Sequence, residues 1–306
     1  MNRFEYLEAA TVPEALSLLD QYAGTRVVAG ATDVLIRWRQ GLWKPPYILN
    51  IKRIAGLDEV RYSPETGLSL GPLVRVRTLE LHPLIREHYP ALTQAATAFA
   101  GVQIRNLATV GGNVCNASPA GDTLPALVAY GAECRLIGPH GERLMALDSF
   151  LLGPGRTALQ PGELLVELRL PPQPPTTGAL YIKHSARSAM DIATVGVAAV
   201  VALEEKDGVC REVRIALGAV APTVVRASAA EALLRGQRLD VELLQQAARA
   251  AMQAARPIDD IRGTVRHRQA IVASLTKRTL HYAVQMAQGA SIPLYEQRGL
   301  AVEAMF

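Results

Sequence analysis

At 306 residues the chain is long for one small core and fits two domains. A composition of 49% hydrophobic and 20% charged residues excludes a disordered chain. With 5% aromatic residues and a net charge of +4, there is neither a stacking platform nor a basic arm for nucleic acid.

The first element is strongly signalled. Thr11-Val12-Pro13-Glu14 is a capping box in which Thr11 caps a helix and Glu14 reaches back to its backbone. Val12, Ala15, Leu16 and Leu19 follow the helical period, and Gly24 stops it. Residues 26–29 read as a short strand that runs into Gly30-Ala31-Thr32-Asp33, and VLIRWRQ reads as a second helix. A strand over 47–51 completes a β-α-β start and predicts a parallel sheet. Alternating runs from 59 to 76 flank the turn Pro64-Glu65-Thr66-Gly67 and predict a hairpin. Helical segments fill 82–100, a strand-to-turn transition is expected at TVGGNV, and 148–156 reads as loop before a strand over 163–170.

PPQPPTTG, residues 171–178, is the sharpest shift in composition and is read as a domain boundary. Beyond it, 179–184, 192–203 and 213–220 predict an antiparallel sheet, and 227–235, 241–255 and 265–288 predict helices. The expected organisation is 1–175 as one domain with subdomains of about 1–55 and 56–175, then 176–288 as a second domain and 289–306 as a tail.

Several kinds of chemistry find no support. Cys115, Cys134 and Cys210 are scattered, with no CxxC pair and no disulfide framework. The six histidines show no metal-ligand spacing, and no phosphate loop, GxGxxG fingerprint, HExxH or GxSxG motif is present. No catalytic residue and no metal ligand is assigned, so a cofactor has to carry any redox chemistry. The opening MNRFEYLEAATV lacks the apolar core of a signal peptide, and the apolar run 195–203 is too short to span a bilayer. A cytoplasmic protein without a membrane span is expected.

Two glycine turns carry the functional signal. Alone, each is more often a plain turn, but VVAGATD and TVGGNV fall in one predicted domain and a diphosphate carries two charged groups. Gly30, Gly111 and Gly112 would let main-chain amides approach phosphate oxygens with no Cβ in the way, and Thr32 and Thr109 would add hydroxyl donors.

The segments VVAGATDVLI, QIRNLATVGGNVCNASPAGDTLPAL, YIKHSARSAMDIATVGVAAV and RPIDDIRGTVRHRQ together resemble the FAD-binding medium subunit of the molybdenum hydroxylases. That family includes xanthine dehydrogenase and aerobic carbon monoxide dehydrogenase. The resemblance covers nearly the whole chain. It implies an α+β architecture: a vanillyl-alcohol-oxidase-like FAD fold of two subdomains, followed by a smaller domain of antiparallel sheet and helices. It further implies that Val27, Val28, Ala29, Gly30, Ala31, Thr32, Asp33 and Val34 lie along the FAD pyrophosphate and adenylate. Phe99 would flank the cofactor, and Thr109, Val110, Gly111, Gly112 and Asn113 would form the second phosphate turn. Asp122 would hold ribose or ribityl hydroxyls, Leu165 would contact the flavin region, and Lys183 would sit near it. Where the family has a second glycine in the first turn, this chain has Ala31. The cysteine-bearing insertion of the 4-hydroxybenzoyl-CoA reductase branch is missing after the second turn.

Some residues keep a second reading. Asp122 stands where it would cap the helix that follows, and the strand face carrying Tyr181 and Lys183 also reads as solvent-exposed sheet. Asn113, Asn116 and Ser118 also read as partners of buried backbone, and Cys115 as packing. Functionally, the resemblance implies an electron-transfer subunit. A molybdopterin-binding large subunit and an iron–sulfur small subunit would be separate partners, and a dimer of such heterotrimers stays open. A self-contained FAD oxidoreductase and a non-enzymatic assembly protein remain as rivals.

Overall fold

A computed structural model describes residues 3–187, 190–206 and 208–292. The chain opens with β1 (Glu5–Glu8), α1 (Val12–Gln21), β2 (Arg26–Val28), α2 (Val34–Arg39) and β3 (Tyr47–Asn50). The three strands form a parallel sheet in the order β1-β3-β2, as the β-α-β pattern requires. Thr11 caps α1, its Oγ1 accepting from Glu14 N at 3.2 Å. Glu14 reaches back one residue further than a capping box predicts and accepts from Ala10 N at 2.8 Å. Ala15 then packs with Leu49, Ile51 and Ile54 beneath the sheet.

Next come β4 (Val60–Ser63), β5 (Gly67–Leu70) and the helices α3 (Val76–Leu81), α4 (Pro83–His88), α5 (Pro90–Ala98), α6 (Val102–Arg105), α7 (Val110–Asn116) and α8 (Thr123–Ala129). They are followed by β6 (Glu133–Gly138), β7 (Gly141–Ala146), α9 (Leu147–Phe150), β8 (Leu151–Gly153), β9 (Arg156–Thr157) and β10 (Leu164–Leu170). The hairpin at Pro64–Gly67 forms as expected, and β4-β5-β10-β6-β7 make an antiparallel sheet of five strands. Two expectations fail locally. TVGGNV is the capped start of a helix rather than a turn leaving a strand, because Thr109 Oγ1 accepts from Gly112 N at 3.1 Å. The stretch taken as loop before residue 156 holds α9 and the first strand of the β8–β9 hairpin.

The last part contains β11 (Thr177–His184), β12 (Val195–Leu203), β13 (Cys210–Gly218), β14 (Val225–Arg226), α10 (Ser228–Leu234), α11 (Val241–Ala254) and α12 (Val265–Ala287). The strands pair antiparallel in the order β11-β12-β13-β14. All nine residues of β12 are buried, because both faces of this sheet are covered. Val197, Ala199 and Val201 face a core built with α10–α12, while Ala198 and Val200 face the core that includes α5 and α8. Strand alternation thus docks the sheet between two sets of helices. The tail expected from residue 289 falls largely on 293–306, outside the described residues. Among the described residues no helix is long and apolar enough to cross a membrane.

Candidate functional site

A cleft of about 450 Å³ opens between the first sheet, α7 and the segment leading into β10. That volume suits a cofactor-sized ligand. Its first wall is Val27, Ala29, Gly30, Ala31, Thr32, Asp33 and Val34. Phe99, Thr109, Gly111, Gly112 and Asn113 form the second wall, and Leu165 closes the third with Gly162 and Glu163. Thirteen of the sequence-derived site residues therefore meet on one cleft.

The first turn keeps its backbone donors unspent. Among the described residues, the backbone N–H groups of Gly30, Ala31, Thr32, Asp33 and Val34 find no acceptor in the protein. Ala31 adopts a left-handed φ of 62°, which bends the backbone at this turn. Five adjacent donors left unsatisfied on a cleft wall would be costly unless a ligand or water takes them. Gly30 makes the bend possible by close approach rather than by unusual torsion: a Cβ there would lie 2.0 Å from Leu107 O.

Ala31 itself bears strain, since a left-handed L-residue costs about 1–2 kcal/mol. Glycine relieves this but loses about 0.5–1 kcal/mol of chain entropy on folding. Ala31→Gly is thus expected to leave stability unchanged or raise it by up to ~1 kcal/mol in denaturant titration. Clear destabilisation would show that the Ala31 methyl makes a packing contribution that outweighs the strain.

The second turn differs from its sequence reading. Val110 N donates to Val74 O at 2.9 Å, Gly111 N to Pro72 O at 2.9 Å, and Asn113 N to Thr109 O at 3.0 Å. With Gly112 N held by Thr109, none of these amides is left for a phosphate. Gly111 is glycine because a Cβ would stand 2.4 Å from Pro72 Cβ. Gly112, by contrast, is exposed and offers a bare surface on the cleft. Asn113 Oδ1 accepts from Thr123 Oγ1 at 2.6 Å, which orients the side chain. Asn116, also on the cleft, keeps its Oδ1 buried without a partner among the described residues. This orphaned acceptor matches a ligand hydroxyl.

Val28, Val110, Asp122 and Lys183 are not on the cleft wall. Asp122 has helical backbone angles of −61° and −33° and makes no capping bond. Its carboxylate accepts from Tyr181 OH and from Lys183 Nζ, each at 2.9 Å. All three side chains are buried, so this face of β11 is not solvent-exposed sheet. Burial pushes the Asp122 carboxyl above its usual range, with the Lys183 charge and the hydrogen bonds from Lys183 and Tyr181 opposing the rise. Lys183 also donates to Ala98 O at 3.1 Å, next to Phe99. Arg105 donates to the carbonyls of Thr97, Phe99 and Ala100 at 2.9, 3.0 and 2.9 Å. Two buried cations thus hold the loop that presents Phe99 to the cleft.

Sequence reasoning missed Arg26, Trp43, Pro72 and the 155–164 segment as parts of the wall. Only Arg26 carried a signal, being contiguous with the first glycine turn. The others come from distant chain.

Unspent amides beside a cleft walled by Phe99 and Leu165, on an α+β frame, suit the class of proteins that bind a phosphate-bearing dinucleotide. Known proteins make the class specific. A family described as the FAD binding domain in molybdopterin dehydrogenase matches residues 2–173, and one described as the CO dehydrogenase flavoprotein C-terminal domain matches 180–283. A putative xanthine dehydrogenase FAD-binding subunit of Escherichia coli is 33% identical, over 93% of this chain and 97% of that protein. The carbon monoxide dehydrogenase medium chain of Hydrogenophaga pseudoflava is 32% identical, over 92% and 97%. In a solved structure of carbon monoxide dehydrogenase from the same organism, one chain superposes with a TM-score of 0.89 at 34% identity, covering 94% of this chain and 99% of that one. The chain belongs to the FAD-binding medium subunits of the molybdenum hydroxylases. It is an oxidoreductase subunit, and its cofactor is FAD.

Proposed function

We propose that this chain carries electrons within a molybdenum-containing hydroxylase, from iron–sulfur clusters of a small partner subunit through FAD to an external acceptor. A separate large subunit would bind the molybdenum cofactor and oxidise the substrate. Bound FAD supplies the chemistry that couples one-electron donors to a two-electron acceptor. The observation that carries the reading is the row of five unspent amides from Gly30 to Val34 on the cleft. It suits a pyrophosphate, which a monophosphate flavin lacks.

On this reading residues 27–34 receive the ADP half of FAD, and Phe99 and Leu165 flank the flavin. Thr109, Gly112 and Asn113 line the opposite wall and supply a hydroxyl and a side-chain amide. Asp122 and Lys183 act from behind, through the loop that bears Phe99. The chain divides near residue 175 into a cofactor domain and a smaller domain suited to subunit contacts, and it works in the cytoplasm.

The test is purification of the native complex through this chain. Flavin released on denaturation should be FAD, about one per chain, with molybdenum and iron–sulfur subunits at equal stoichiometry. Substrate should then bleach the flavin of the complex, whereas the isolated chain turns over only slowly with artificial donors. Rapid turnover of an organic substrate by the isolated chain would replace this reading with a self-contained flavoenzyme.

A further inference from the structure

Helix α2 shows water a face that a solvated helix would hide. Leu35 and Ile36 are 46% and 54% exposed, and Leu42, just past the helix end, is 69% exposed. At about 100° per residue, Arg39 falls between Leu35 and Ile36 on one arc, with Gln40 at its edge. Arg39 and Gln40 are exposed as well. The opposite arc, Val34, Arg37 and Trp38, is half-buried. There Trp38 meets Phe4 edge-on with ring centroids 5.2 Å apart, and Arg37 Cζ lies 4.6 Å from the Trp43 ring centroid. Packing on that side fixes the outward direction of Leu35 and Ile36. The chain then turns at Gly41, whose φ is 72°, and Leu42 N donates to Arg37 O at 2.9 Å. This keeps Leu42 against the last turn, with the exposed Lys44 two residues on. A single exposed leucine needs no explanation, but three aliphatic side chains within one short stretch, interleaved with cations, form a patch.

The surrounding charge is one-sided. From Tyr22 to Leu57 the chain carries Arg26, Arg37, Arg39, Lys44, Lys52 and Arg53 against a single acid, Asp33. Among the described residues Arg37, Arg39 and Lys44 have no carboxylate within ion-pair distance. Nucleic acid would answer the cations but not the aliphatic side chains. A bilayer of anionic lipids answers both, because negative headgroups overlie an apolar layer.

We propose that Leu35, Ile36, Arg39, Leu42 and Lys44 dock this protein on an anionic membrane surface. The aliphatic side chains enter the boundary between headgroups and acyl chains, and the cations pair with lipid phosphates. Such attachment is peripheral and needs no spanning helix, in keeping with the absence of one among the described residues. None of the five residues lines the cleft, so the surface adds a location and leaves the cofactor assignment untouched.

The experiment sediments the FAD-loaded chain, and in parallel the native complex purified through it, with lipid vesicles. One set is phosphatidylcholine alone and the other contains phosphatidylglycerol as well. Both forms of the protein are expected to bind the mixed vesicles, to leave the neutral ones in suspension, and to dissociate as salt is raised. Trp38 and Trp43 are the two tryptophans of the chain and border this face, so their emission should shift on binding. Ile36→Glu, Leu42→Glu and Arg39→Glu should each weaken binding about tenfold, while flavin content and the unfolding midpoint stay at wild-type values. Arg39→Lys should retain most of the binding, since it keeps the charge. Equal binding to the two kinds of vesicle, no binding to either, or wild-type binding by the glutamate variants overturns the proposal. Binding by the chain that vanishes in the native complex shows that a partner subunit covers α2, and overturns it too.

Discussion

Asp122→Asn is expected to destabilise the folded chain by about 3–5 kcal/mol, the usual cost of removing one member of a buried ion pair. The carboxylate accepts from Tyr181 and Lys183, and the substitution leaves the Lys183 ammonium buried without the charge that balanced it. A carbonyl such as Ala98 O carries only a partial charge and cannot replace it. Denaturant unfolding of the flavin-free chain measures the loss. The double variant Asp122→Asn with Lys183→Met should regain most of it, because it removes the stranded charge. A loss of FAD affinity at unchanged stability would instead return Asp122 to direct contact with the cofactor.

The three glycines of the two turns should separate into two kinds. Gly30→Ala drives a methyl to 2.0 Å from Leu107 O, and Gly111→Val drives a branched side chain into Pro72, whose Cβ is 2.4 Å from the first added carbon. Backbone or ring must move in both cases, at a cost of about 1–3 kcal/mol or more. Because Gly30 begins the row of unspent amides, its displacement is also expected to lower FAD affinity at least tenfold, measured per folded molecule by fluorescence titration. Gly112→Ala meets only the Thr109 hydroxyl, at 2.9 Å, and lies on the exposed face of α7. Its stability should change little, since alanine also favours helix. If Gly112→Ala nevertheless releases FAD as strongly as Gly30→Ala, the cofactor lies directly on that helix turn.

Much of this protein could be read from its residues in order. The cap at Thr11, the hairpin at Pro64–Gly67, the buried strand β12 and the three C-terminal helices follow from neighbours two to four positions apart, which one sequence displays. The glycine turns and the quoted motifs also sufficed to recognise the family. What the sequence could not reveal is where each polar group spends its bonds, because those partners come from distant chain. Gly111 N is taken by Pro72 and the Asp122 carboxylate by β11, while the amides from Gly30 to Val34 stay unspent. Two turns that look alike in sequence thus become one row of unspent amides and one packed helix start. Trp43 acquires its place only when α2 and β2 bring Arg37 and Arg26 onto its ring. Local propensity determined the elements. The choice of which donors and charges remain for a ligand was made by long-range packing, since a buried polar group satisfied inside the protein has nothing left to offer.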